Sequence, residues 1–401
     1  MAQDLKKSEL SGWLSPLFGV SFSILLGLFT VRLASDTIER LVYPFIAPIA
    51  AGLGLAVTSL GVVISIRSWV GLATPFIGLA ADRFGKKRLM VIGLSTQLVG
   101  LLLMLVVDGW WAVVPMILTG LGTASFVPIQ LAYVSDLVPY QTRGRALAFV
   151  DMAFSVAGIL ALPVVGWLIE NYSWRVPYAI LAAITLVTAT LTWRLLPEAK
   201  AHTAALPANP FAGLQAALRQ PAVWAAIVLA MLLFYVFSGF ATVWALWLGD
   251  RFALSTTEIG LMATLISLAE LAGVILSILF IDRIGKKRGV RLGFALSIVL
   301  LLTWLFIPKN LLLARVILML IGGLQEFTIV SFFPLISDQL PEARATLFTL
   351  AGLGISVGLA LGPAGNLFIW EQLGHGAIVG VMVAVLALAI LLVSTQIRHT
   401  D

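Results

Sequence analysis

The chain has 401 residues, 60% of them apolar and only 11% charged, with a formal net charge of +6. A soluble domain averages about 45–50% apolar and about 25% charged residues. A water-soluble enzyme is therefore excluded for want of polar surface, and a disordered chain for excess of apolar residues.

With a mean hydropathy of +1.05 and about 20 apolar residues needed per crossing, the length accommodates twelve transmembrane helices joined by short loops. A short polar lead holds Lys6 and Lys7, and no small-residue cleavage site follows it, so the first helix reads as retained. Apolar runs then predict helices at 16–46, 53–80, 88–107, 111–135, 146–169 and 175–196. A second set is predicted at 222–248, 257–281, 290–308, 311–335, 345–368 and 375–396. The one long polar break carries Pro197, Pro207, Pro210 and Pro221. It divides the chain into an N-terminal six-helix bundle (1–196), a linker (197–221) with a short amphipathic helix from Phe211 to Arg219, and a C-terminal six-helix bundle (222–401). The fold class is all-α, a membrane protein of twelve helices in two pseudo-symmetric bundles.

Charge orients these helices. With the N-terminus in the cytoplasm, eighteen of the 25 Lys and Arg fall on the inner side, chiefly at Lys86, Lys87, Arg88, Arg143 and Arg145 and at Lys286, Lys287, Arg288 and Arg291. Only Arg175, Arg251 and Lys309 fall in outer loops. That asymmetry is the positive-inside rule. It accounts for the pI near 9.7 without nucleic acid and predicts a multi-pass protein of the plasma (inner) membrane with both termini cytoplasmic. No cysteine is present, and His202, His375 and His399 stand far apart, so neither a disulfide nor a metal site is expected. The absence of a phosphate loop or nucleophile elbow argues against an enzyme or an ATP-driven pump, and no cofactor is expected.

The two halves repeat. Asp82-Arg83-Phe84-Gly85-Lys86-Lys87-Arg88 returns 200 positions later as Asp282-Arg283-Ile284-Gly285-Lys286-Lys287-Arg288. Gly158 and Pro163 match Gly358 and Pro363 at the same offset, and Asp136 and Pro139 match Asp338 and Pro341 at 202. Six helices separate the copies, so both halves enter the membrane in the same direction, a known transporter plan. The stretch from Gly78 through Asp82, Arg83, Gly85, Lys86 and Arg88 resembles the signature loop between helices 2 and 3 of the major facilitator superfamily. Within that superfamily the chain is most similar to arabinose-efflux-permease-like and drug-efflux members. The resemblance implies a gating latch at Gly78, Asp82, Arg83, Gly85, Lys86 and Arg88, echoed at Asp282, Arg283 and Gly285. From the residues alone, the same loop anchors topology, and Asp82 caps a helix or pairs with Arg83 or Arg143.

Helix 1 carries Arg32, Asp36, Glu39, Arg40 and Tyr43 within an arc of about 100°, with i,i+4 spacing from Arg32 to Asp36 and from Asp36 to Arg40. Arg67, Asp151, Glu270 and Glu326 add charge within other helices. Each ionised group facing lipid costs about 2.5–3.5 kcal/mol, so these side chains pair or line water. Acidic groups so placed, Asp36, Asp151, Glu270 and Glu326, are candidate proton carriers, with a structural salt bridge as the rival role for each. The resemblance implies that helices 1, 4, 7 and 10 line the path, which adds Gln130, Tyr133, Tyr235, Trp244, Trp247 and Gln325. Proton-driven members often carry an arginine in helix 4; here that stretch reads Val113-Val114-Pro115-Met116, and the repeat places Arg315 of helix 10 at the equivalent position.

The expected function is secondary transport by alternating access, driven by a proton or other ion gradient across the bilayer. Proton-coupled efflux of a small amphiphilic substrate is preferred. The alternatives are a facilitator or symporter for a sugar or organic anion, with the arginines as anion ligands, and a transport-inactive sensor or scaffold. A monomer is expected.

Overall fold

The computed structural model describes residues 21–197, 218–340 and 344–397. Lys6, Lys7, His202, His399 and most of the linker, with all but the last two residues of its predicted amphipathic helix, lie outside the described residues. Ten helical stretches are long and apolar enough to cross a bilayer. The last of them, Thr346–Thr395, holds two helices, because the chain turns at Gly374 (φ 77°). An interrupted helix at the start brings the described spans to twelve, numbered α1 to α12 in chain order.

In the first half, α1 runs Phe22–Arg40 and, past a turn, Ile46–Leu53. Helix α2 comprises Val57–Trp69, a 3-10 turn Val70–Ala73 and Thr74–Phe84. Then follow α3 (Lys86–Met104) and α4 (Val113–Leu137). Helix α5 is assembled from Arg143–Asp151, Ala153–Val156, a π-turn Ala157–Ala161 and Leu162–Asn171, and α6 is Arg175–Leu195. The second half holds α7 (Pro221–Phe252), α8 (Thr256–Ile284), α9 (Lys286–Leu305), α10 (Leu311–Ser337), α11 (344–373) and α12 (375–395). The first helix thus extends to Leu53 rather than stopping at 46. The ladder resumes at Ile46 after the turn that holds Pro44, and the chain reverses instead at Gly54 (φ 68°).

Local chemistry sets several ends. Pro221 occupies the first turn of α7, where its missing N–H costs nothing. Ser255 and Glu258 form a capping box that starts α8. The two signature loops share one turn: Gly85 (φ 94°, ψ 133°) and Gly285 (φ 88°, ψ 131°) each end one helix and open the next. Both backbones lie in a region that only glycine enters cheaply.

The sequence repeat is also a repeat of contacts. Lys86 pairs with Asp136 at the end of α4, and Lys286 donates to Asp338 at the end of α10 at 2.6 Å. Lys87 lies over the Trp193 ring near the end of α6. Its counterpart Lys287 is buried and donates to the carbonyls of Ser394 (3.3 Å) and Ile397 (2.7 Å) at the end of α12.

Within each half, small residues and hydroxyls join the helices, as expected where lipid offers no hydrophobic drive between them. A Cβ at Gly122 of α4 would stand 2.7 Å from the Gly93 carbonyl of α3. Gln97 of α3 receives a hydrogen bond from Ser35 of α1 and donates one to Thr123 of α4. Across α8 and α10, Ser277 and Ser331 hydroxyls meet at 2.9 Å.

The halves meet along two seams, Val57–Trp69 of α2 against α11, and Leu162–Asn171 of α5 against α8. Ser65 accepts from the Ala364 N–H (3.0 Å), Thr264 donates to the Ile159 carbonyl (3.1 Å), and Glu170 accepts from the Thr257 N–H (2.6 Å). Pro163 explains the second of these, since it lacks the N–H that would occupy the Ile159 carbonyl four residues back. The segments next to the signature loop, Thr74–Phe84 and Arg143–Asp151, pack on their own half instead. The crevice between the halves is therefore sealed away from the signature loops.

Gly260 of α8 tests that seal, because a Cβ there would meet the Leu162 carbonyl at 2.9 Å and Pro163 Cα at 3.0 Å. The chain is cysteine-free, so a single Ala263→Cys reports access to the crevice. Impermeant thiol reagent is expected to label Ala263→Cys from the signature-loop side only. Adding Gly260→Leu is expected to admit label from the opposite side as well.

Candidate functional site

Beneath the seams lies a cavity of about 260 Å³ between the halves. Its walls come from α1 (Glu39, Arg40, Tyr43, Pro44), α5, α7, α8, α10 and α11. Sequence reasoning singled out six of its lining residues: Glu39, Arg40, Tyr43, Trp244, Glu270 and Glu326.

The charged stripe of α1 does not point one way. Arg32 donates through Nε to Asp36 (2.8 and 2.9 Å) and through Nη2 to Asp151 of α5 (3.0 Å), away from the cavity wall. Glu39 pairs with Arg67 of α2. Arg40 turns away from Asp36 and crosses to the other half, where Nη2 donates to Glu270 (2.7 Å) and to the Ser267 hydroxyl (3.0 Å) of α8. The Arg40 guanidinium also lies 4.3 Å from the Phe154 ring centre, a cation–π contact. Both partners of this pair are largely buried, with side chains 14% and 10% exposed.

Glu326 of α10 stands on the same wall and makes neither a hydrogen bond nor an ion pair among the described residues. With Glu39 matched by Arg67 and Arg40 by Glu270, an ionised Glu326 leaves the cavity one negative charge in excess. The rest of the wall is aromatic and aliphatic: Phe154, Phe234, Phe237, Phe240 and Trp244. Such a surface accepts a flat or branched apolar body and offers one carboxylate to a basic group.

The other predicted residues lie off the cavity. Gln130 is fully buried and donates to the Leu28 carbonyl (2.7 Å). Tyr133, also fully buried, donates to the Pro197 carbonyl at the end of α6 (2.7 Å). The Tyr235 hydroxyl reaches Asn366 of α11 at 3.4 Å. Gln325 is buried, and its Nε2 has no partner among the described residues. Arg67 packs against Gly120 of α4, where a Cβ would meet its Cγ at 2.7 Å. Trp247 belongs to an aromatic cluster with Trp304 and His375. In the signature loop, Arg83 is exposed over the Phe84 ring, Arg283 is exposed, and the Asp82 side chain lies outside what is described.

Of the aromatic wall of α7, sequence reasoning named Trp244 and missed Phe234, Phe237 and Phe240. Phe234, Phe237, Ala241 and Trp244 share one helical face at i, i+3, i+7 and i+10. Such a face stands out only against a polar opposite face, which the apolar α7 lacks, and Tyr235 lies on a different one.

The cross-half pair yields a double-mutant test. Either Arg40→Gln or Glu270→Gln strands a buried charge, at a cost of about 3–5 kcal/mol. Thermal unfolding of the purified chain is expected to show each single change lowering Tm clearly and the double change recovering most of the loss.

Comparison with known proteins now places the chain. The profile of the Major Facilitator Superfamily matches residues 24–255 and 228–399. Multidrug resistance protein 2 of Bacillus subtilis (strain 168) is 25% identical over 292 residues, 70% of this chain and 69% of that protein. Multidrug resistance protein MdtH of Enterobacter sp. (strain 638) is 31% identical over 158 residues, 39% of each chain. Among solved structures, a D-xylose-proton symporter superimposes with a TM-score of 0.77 at 15% identity, over 95% of this chain and 98% of that one. A bacterial homologue of the human lysosomal transporter Spinster, inward-facing and occupied, gives 0.67 at 16% identity, over 93% and 94%. The chain belongs to the major facilitator superfamily, as an integral, multi-pass transporter of the drug-efflux-like kind.

Proposed function

We propose that this transporter exports small amphiphilic molecules bearing a basic group, in exchange for protons, across the plasma membrane. The observation that carries the reading is the single uncompensated carboxylate, Glu326, in an aromatic-walled cavity shared by the two halves. A cationic substrate neutralises Glu326 when it binds; a proton neutralises it when the substrate leaves. Either occupant removes the cost of an ionised carboxylate next to apolar walls, and the two compete for one group, which is the minimum requirement for exchange. Asp36, Asp151 and Glu270 are already engaged by arginines, which leaves them the role of adjusting the pairing around α1 as Glu326 changes state.

Several features support efflux over capture of a sugar or organic anion. Arg32, Arg40 and Arg67 are each paired with carboxylates, so their positive charge is already matched and an anion would have to compete with a carboxylate for it. The wall also carries few of the polar groups that a sugar needs. We further propose that the signature-loop side faces the cytoplasm, with the basic loops on the anionic leaflet. The sealed seams then lie on the outer side, and the cavity loads from within. Residues 1–196 and 222–401 are the two rocking units, and one chain is the working unit.

Proteoliposomes test the exchange. With an acidic lumen and ethidium outside, the wild-type chain is expected to accumulate the dye and make the lumen less acidic. Glu326→Gln is expected to lower gradient-driven accumulation about tenfold or more, since it removes a charge contact in a low-dielectric site. Undiminished gradient-driven uptake by Glu326→Gln would remove the assignment.

A further inference from the structure

Outside the central cavity, a second and larger recess of about 560 Å³ opens on the outer surface of the C-terminal half, between α8, α9 and α10. Its lining is entirely apolar and includes Gly273, Gly293 and Gly323, which let α8 and α9 pack closely on α10; a Cβ at Gly323 would stand 2.7 Å from the Ala269 carbonyl. The rims are exposed: Leu276 (48%), Leu292 (51%) and Leu320 (50%) face away from the protein. In a membrane-spanning bundle such a surface faces hydrocarbon.

The recess has a direction. Along α9 it runs from Gly289 to Val299 and Leu300, about 16 Å at 1.5 Å per residue, close to one leaflet of a hydrocarbon core about 30 Å thick. Its end near Ile284 and Gly289 coincides with the second signature loop. There Arg288 precedes Leu292, Leu296 and Val299 by four, eight and eleven positions, and so lies on the same face of α9 as that rim. On α8, Arg283 follows Phe280 by three positions on the opposite rim. Both arginines are exposed, and neither makes an ion pair among the described residues. Among the described residues, Asp338 is paired with Lys286, and Asp282, next to Arg283 in sequence, is exposed.

We propose that this recess is a binding site for an anionic phospholipid. One acyl chain lies in the groove of α8, α9 and α10, and the phosphate sits between Arg283 and Arg288. Two guanidinium groups at the mouth of a leaflet-long apolar trough match a molecule with a negative head and a single-leaflet tail. The proposal does not depend on which substrate the central cavity carries.

Native mass spectrometry of the full chain released from detergent, titrated with dioleoyl phosphatidylglycerol or dioleoyl phosphatidylcholine, decides it. Phosphatidylglycerol is expected to bind more tightly than phosphatidylcholine. Arg283→Gln and Arg288→Gln are each expected to weaken phosphatidylglycerol about fivefold, and together about thirtyfold, with phosphatidylcholine unchanged. Arg145→Gln, an exposed arginine beyond the groove on the same side, is expected to change nothing. Leu296→Trp, which fills the trough and leaves the arginines in place, is expected to weaken both lipids. Equal binding of the two lipids by the wild type, or unchanged phosphatidylglycerol binding by the double variant, would overturn the site. A dimer that Leu296→Trp dissolves would overturn it too, by making a second copy of the chain the occupant.

Discussion

A charge in hydrocarbon must find a partner or water, and most of this structure follows from how α1 meets that demand. Three arginine–carboxylate contacts radiate from or onto this one helix. Arg32 and Asp36 join it to Asp151 of α5, Glu39 to Arg67 of α2, and Arg40 to Glu270 of α8. Two of these ties stay within the N-terminal half and fix the rotation of α1. The third leaves it. Buried ion pairs contribute little net stability, because desolvation offsets the attraction; what they confer is geometry, since each partner is expensive anywhere else. An interhalf pair of this kind holds the two sides of the cavity in one arrangement for as long as both partners stay charged and paired.

The seams show why release is cheap. A gate built from interlocked side chains would need wholesale repacking to part. Here apolar packing is joined by close backbone approaches, at Gly61 to the Pro363 carbonyl and at Gly260 to the Leu162 carbonyl, and by a few hydrogen bonds. Thr264 makes the point: its hydroxyl donates to Ile159 across the seam at 3.1 Å and lies 3.5 Å from the Gly260 carbonyl of its own helix. When the seam parts, the donor returns to α8 and is not orphaned. Pro163 plays the complementary part on α5, freeing a carbonyl for the other half to use. Pro363 stands at the equivalent place on α11, where the next residue, Ala364, donates to Ser65 of α2.

Much of this was legible in the sequence, for identifiable reasons. The helices were readable because a bilayer enforces their length and apolarity. The duplication was readable because charged loop residues repeat at a fixed offset. Even the Lys86–Asp136 and Lys286–Asp338 contacts were implicit, since both members of each pair recur 200 and 202 positions apart. The direction of each α1 side chain was not legible. Asp36 has an arginine four residues away on either side, and helical spacing alone offers it both; only the position of Glu270 on α8 takes Arg40 away. Gln130 and Tyr133 read as lining because the resemblance puts helix 4 on the path, yet their polar atoms serve backbone carbonyls. The cavity's aromatic face on α7 was hidden for a different reason. A helix apolar on all sides gives no period from which to choose its inward face.

Duplication also leaves a difference that bears on movement. In the N-terminal half the second loop lysine, Lys87, rests over an exposed Trp193 ring. In the C-terminal half Lys287 is buried and satisfies carbonyl groups that α12 leaves unpaired at its end. The same motif is therefore a surface contact in one half and a structural staple in the other. Detaching Lys87 exposes a charge already near water, whereas detaching Lys287 would strand both an ammonium and the α12 carbonyls. The segment of α2 that ends at Gly85 is thus held less firmly at its loop lysine than the segment of α8 that ends at Gly285.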